Sequence, residues 1–185
     1  MAAIDSTTVG VLTPTAAKGT ENPMPALRAW LSELTGIPNT LLRARWMTRP
    51  GTMPAIGIDW AAVGVERVET HGTPYQRGRK GESVQKESHQ SLHCVVSFYG
   101  PNAAEKADIF REGAQVFQNS DALRLNGLTF QSVAADVQHL PDLLGEQWVD
   151  RYDVTFVVGR KVVRTYAVRD FSSAGFVIFT DKGML

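Results

Sequence analysis

The nine residues Ser91-Leu92-His93-Cys94-Val95-Val96-Ser97-Phe98-Tyr99 constrain the fold more than any other stretch of the chain. Positions 92, 94, 96 and 98 are apolar at a period of two, the pattern of a strand with one buried face. Gly100-Pro101 ends that strand, and Asn102 with Glu105 has the spacing of a capping box that opens a helix. Along the helix Ala103, Ala107, Phe110, Ala114 and Phe117 recur at steps of four and three. They predict a stripe of small and aromatic side chains laid on the sheet. A strand that runs directly into a helix packed on it calls for a two-layer arrangement.

Similar signals place the other elements. Asn22-Pro23 suits a helix start, Leu27, Trp30, Leu31 and Leu34 form one apolar face, and Gly36 supplies the stop. Strands are expected at about 41–47 and 55–70, with a bulge where the phase changes near Ala61-Ala62-Val63-Gly64. A short turn around 119–126 leads to a strand at about 128–137. A long strand is expected over 147–158, with Trp148, Tyr152, Val154, Phe156 and Val158 on one face. Gly159-Arg160 reads as a turn into a hairpin partner at 161–169, and 176–179 as a last short strand. The predicted fold class is α+β: a mainly antiparallel β-sheet with two helices packed on one face, a long hairpin loop and extended termini. At 185 residues the chain suits one domain. Residues 1–22 form an N-terminal extended arm with one short strand at 8–12. Residues 23–159 form the α+β domain, and 160–185 are a C-terminal β extension of it.

The search for reactive groups returns none. Cys94 is the sole cysteine, which excludes an internal disulfide and a thiolate metal cluster, and its parity puts it on the core face. His89 and His93 share a strand face but stand two pleats apart, with no third ligand nearby. The acids Asp136, Asp142, Glu146, Asp150 and Asp153 suggest a metal-dependent nuclease. Pro141-Asp142 resembles the opening of a common nuclease motif, but the lysine that should follow is missing. No phosphate-binding glycine loop or nucleophile elbow occurs. The expectation is no enzyme activity, no cofactor and no metal.

Charge narrows the partners. Lys plus Arg and Asp plus Glu each total 19, so the chain lacks the basic excess of a tight nucleic-acid binder. A formal net charge of zero gives little protection against self-association. No apolar run reaches membrane-spanning length, and Met1-Ala2-Ala3-Ile4-Asp5 is unlike a signal peptide, so synthesis in a cytoplasm is expected. The one local positive region lies in the least core-like stretch, 71–88, read as a long connection. Its Arg77, Arg79, Lys80 and Lys86 are the candidate contact residues, for a neighbouring subunit or a DNA-containing channel.

Two segments resemble the neck or tail-terminator proteins of tailed bacteriophages. One is the alternating strand 91–99 that ends in Phe98-Tyr99-Gly100 and enters a helix. The other is His139-Leu140-Pro141-Asp142 followed by Gly145-Glu146-Gln147-Trp148-Val149-Asp150-Arg151, a Leu-Pro turn before a long strand. The resemblance covers about residues 26–158. It implies a structural virion protein that forms a ring, with six subunits in that family, at the upper end of the tail tube. Such a ring stops tube growth and joins the tail to the head connector. The implied partners are further copies of itself, the tail tube protein, connector or adaptor proteins and a tail sheath. Genomic DNA passes through the lumen without sequence-specific binding. The implied location is the virion neck, after assembly in the host cytoplasm. The alternatives are a tail tube or head-completion subunit and, behind these, the nuclease.

Overall fold

The computed structural model describes residues 6–7, 10–47, 52–144 and 146–169. The described strands in chain order are β1 (Ala16–Lys18), β2 (Leu42–Ala44), β3 (Trp60–Lys80), β4 (Ser83–Tyr99), β5 (Leu128–Val133), β6 (Gln138–His139), β7 (Asp142–Leu144), β8 (Gln147–Val149) and β9 (Arg151–Ala167). The α-helices are α1 (Met24–Thr35), α2 (Ala103–Gly113) and α3 (Phe117–Ala122). The main sheet runs β1-β9-β4-β3-β2, antiparallel except for the β2–β3 pair. One edge of β9 lies along β4, and the other is covered in turn by β6, β5 and β1. The α+β expectation holds.

The helices cover one face of this sheet. Asn22 Oδ1 accepts the Met24 N–H at 3.1 Å to open α1. Gly36, left-handed at φ 70°, closes the helix by donating its N–H to the Ser32 carbonyl. Leu27, Trp30 and Leu31 are buried, and so are Ala103, Ala107 and Phe110 of α2. They pack on Leu92, Cys94, Val96 and Phe98 of β4 and Val154, Phe156 and Val158 of β9. Trp30 and Phe110 meet edge to face at 5.5 Å, and Phe110 meets Phe156 at 5.2 Å. The Trp30 indole N–H donates to the Asn119 carbonyl at 2.7 Å, so this buried ring leaves no polar atom unpaired.

Several local expectations are corrected. Residues 71–88 are not a loop: they are the outer legs of β3 and β4, joined across Gly81-Glu82. Apolar alternation is absent there because both faces of β3 beyond Val65 meet solvent, while backbone pairing with β4 continues to Lys80↔Ser83. Gly159-Arg160 does not turn. β9 runs through it as one strand of 17 residues, and the predicted hairpin partner is its own continuation. A Cβ at Gly159 would lie 2.7 Å from Gln131 Nε2 of β5, the movable end of a flexible side chain, so neither a turn nor a close backbone approach demands glycine there.

The capping box at Asn102 does not form. The Asn102 backbone N–H and side-chain amide both donate to Asp59, at 2.9 and 2.8 Å, which ties the start of α2 to the chain entering β3. Gly100 permits that approach, with φ at 109° and no room for a Cβ beside Asp59. The apolar stripe of α2 stops at Ala114. Phe117 instead begins the third helix, which the two-helix expectation lacked, and points outward. The strand expected from residue 55 starts at Trp60, and Trp148 sits on the separate strand β8. The strand expected at 8–12 falls partly, and the one at 176–179 wholly, outside the described residues.

Candidate assembly surfaces

Strands of 21 and 17 residues exceed the usual 3–10 of a globular sheet. The excess forms an arm. Beyond His71 the β3–β4 hairpin, with β9 alongside, extends about 30 Å at roughly 3.3 Å per residue. Because β4 and β9 stay in unbroken register, the arm's two faces continue the two faces of the body. Val84, Lys86 and Ser88 lie on the helix-covered side, opposite Tyr166, Arg164 and Val162, but no helix reaches them. There Leu12, Pro74, Val84 and Tyr166 enclose a groove of about 580 Å³ together with Lys86 and Arg164.

The four predicted contact residues all lie along this arm, and Arg77 and Lys86 occupy opposite faces of it. Arg77 ion-pairs with Glu87 at 3.5 Å on the opposite face, where Glu87 also meets Lys161 at 3.5 Å. Lys86 lines the groove. Arg79 and Lys80 lie beside the turn, in register with Val84 and Ser83. Arg164, the second cation of the groove, escaped the sequence reading because it sits in what looked like a separate hairpin strand.

On the sheet face away from the helices, charges are buried beside the root of β9. Arg45 donates to Ser97 Oγ at 2.8 Å, and Ser97 donates in turn to Asp153. Arg151 binds Asp153 through two nitrogens at 3.0 Å and Asp142 at 3.2 Å. Trp60 stacks on Tyr99 nearby, with centroids 4.1 Å apart. Burial, the largest influence, pushes the Tyr99 hydroxyl above its ordinary pKa. The acids that suggested a nuclease do not gather into one group. Asp142 and Asp153 are both held by Arg151, Asp150 pairs with His139 at 2.9 Å, and Asp136 is exposed. Among the described residues no three His, Cys, Asp or Glu side chains come together as a metal site. His89 pairs with Glu87, and His93 with Glu69.

Cys94 lies on the core face, 1% exposed. Burial above all, with the charge of Glu66 adding to it, pushes its thiol up to about 12. A thiolate is the reactive form, so native Cys94 is expected to react with iodoacetamide at pH 8 at least about 100-fold more slowly than in urea. Equal rates, measured by intact mass, would place it outside the core.

Several large apolar side chains are exposed among the described residues, Trp46 and Ile56 included, and two pairs stand out. Phe117 and Leu125 are 80% and 92% exposed at the α3 end of the helical layer. Leu143 and Trp148, in register on the small β7–β8 hairpin, are 54% and 72% exposed. That hairpin belongs to no larger sheet.

A family model described as phage neck terminator protein matches residues 25–182. The chain belongs to this family. A neck terminator is a structural protein of the virion neck, and its surfaces meet other virion proteins. No curated protein matches the chain. The family match passes Val158, where the sequence resemblance stopped, and includes the arm portion of β9. Among the described residues of this neck terminator, no helix is long and apolar enough to cross a membrane.

Proposed function

We propose that the protein forms a ring, hexameric as the family resemblance implies, that terminates the tail tube and joins it to the head connector. The family match over residues 25–182 carries this reading. The arm supports it, since its β3 leg exposes both faces beyond Val65 and gains by lying against a neighbour. The exposed Phe117–Leu125 surface and the β7–β8 hairpin add contact area for the tube, the connector or adaptor proteins, or a sheath. Segments 1–22 and 160–185 are extensions of the central 23–159 domain that serve the same contacts. Genomic DNA passes the lumen without sequence-specific contact, in keeping with 19 basic against 19 acidic residues.

Purified protein is expected to give a defined ring mass by light scattering and to cap isolated tail tubes. A species that stays monomeric at all concentrations and leaves tubes uncapped would overturn the proposal. Deleting residues 73–85 is expected to abolish the ring while preserving a cooperative unfolding transition. The deletion leaves Gly72, Lys86, Glu87 and Ser88 to bridge the His71↔His89 pair, a common hairpin loop length. Loss of the fold itself would show that the arm belongs to the core.

A further inference from the structure

We infer that the groove on the arm receives the β7–β8 hairpin of a second copy of the chain. This rests on the ring reading and specifies which two surfaces of that ring meet. The hairpin has surface to offer a partner: its two three-residue strands lie outside the main sheet, held to the body at the root by the Asp142–Arg151 ion pair. It presents Leu143 and Trp148 side by side, with Glu146 exposed in the turn between them. Glu146 makes no ion pair among the described residues.

The groove has the opposite character. Leu12, Pro74, Val84 and Tyr166 give it an apolar wall, and Lys86 and Arg164 are its charged groups. Neither cation has a carboxylate partner among the described residues. Its 580 Å³ falls within the roughly 300–1,000 Å³ of cavities that enclose compact apolar groups, which suits an indole with a leucine beside it. Tryptophan anchors of this kind dominate interface energetics. Apolar pair with apolar wall, and Glu146 with Lys86 and Arg164, are complementary in both respects.

Position within the chain makes the contact intermolecular. The hairpin stands at the start of β9 and the groove at its end, on the order of 45 Å apart at roughly 3.3 Å per residue. A subunit cannot fill its own groove with its own hairpin, whereas two different patches at opposite ends give a head-to-tail contact, the kind that closes into a ring when the rotation between successive copies permits. The competing route, pairing along the free edge of β3, is obstructed. That edge passes three register shifts and carries Arg67, Glu69 and Arg77, features that discourage strand addition.

The test uses the full chain and light scattering. Lys86→Glu with Arg164→Glu, and separately Glu146→Lys, are each expected to weaken ring formation at least tenfold, and the three together to restore it. Gln76→Cys and Leu143→Cys are expected to give disulfide-linked multimers only when both are present, Cys94 being buried. Circular dichroism of each variant should match the parent. Charge-reversed variants that assemble like the parent, with the cysteines unlinked, would overturn the inference while the ring reading stands. That is also the outcome if residues 170–185 fill the groove. A parent protein that never forms a ring would overturn both.

Discussion

Phe156→Ala is expected to destabilise the fold by about 3–5 kcal/mol, the usual loss for a large aromatic side chain removed from a packed interior. Phe156 is 1% exposed in the middle of β9, paired with Cys94 on one side and Val133 on the other. Its ring lies 5.2 Å from Phe110 and 6.1 Å from Trp30, so one truncation strips contacts from both major helices at once. Helices and a central strand cannot close over the space without breaking sheet pairing. A domain of this kind holds about 5–15 kcal/mol in total, so the change consumes a large share of it. The midpoint of urea unfolding should fall with an unchanged slope. Phe117→Ala, on an exposed ring, should move it by no more than about 0.5 kcal/mol. Equal effects from the two would mean that the helical layer is misplaced.

Asp153→Ala is expected to cost nearly as much, about 3–5 kcal/mol, by a different mechanism. The carboxylate is buried between two guanidinium groups and accepts the Ser97 hydroxyl. Its removal leaves Arg45 and Arg151, each about one-fifth exposed, facing each other without the intervening charge. Asp142 still holds Arg151, but Arg45 has no second carboxylate among its described contacts. Asp153→Asn should cost less, because its oxygen can still accept from Ser97. A loss below about 1 kcal/mol for the alanine variant would show that solvent screens the network as it does a surface pair. The network joins the chain before β3, the strand β4 and the root of the β7–β8 hairpin. Asp153→Ala should therefore also loosen the hairpin that the ring contact uses.

The core was legible because its pattern is local. Leu92, Cys94, Val96 and Phe98 alternate on one strand, Leu27, Trp30 and Leu31 recur on one helix, and both sets are buried together. Asn22 and Gly36 marked the ends of α1 correctly because a cap depends on a few neighbouring atoms. Asn102 misled for the same reason in reverse: Asp59, 43 positions earlier, competes for its side chain. Gly159-Arg160 looked like a turn because glycine is often there for its dihedral freedom. Here Gly159 sits within a continuous strand, paired with Thr129 of β5 on one side and Ser91 of β4 on the other.

The candidate surfaces were legible in part. The basic stretch holding Arg77, Arg79, Lys80 and Lys86 was located, but its form was not. The β3 leg, solvated on both faces, carries no hydrophobic period, and the arm's pairing comes from backbone groups whose sequence signature is weak. Arg164 joins Lys86 only because β9 passes Gly159 without turning.

Sequence alone determined the α+β class, the buried faces of β4 and α1, the core position of Cys94 and the resemblance to phage neck proteins. Each follows from periodicity or from short contiguous motifs. Tertiary structure decided the rest: a single β9 that spans body and arm, the buried Arg45–Ser97–Asp153–Arg151 network, and an exposed hairpin at the far end from a basic groove. These depend on which distant residues meet, and no pattern along one strand encodes what lies across the sheet from it.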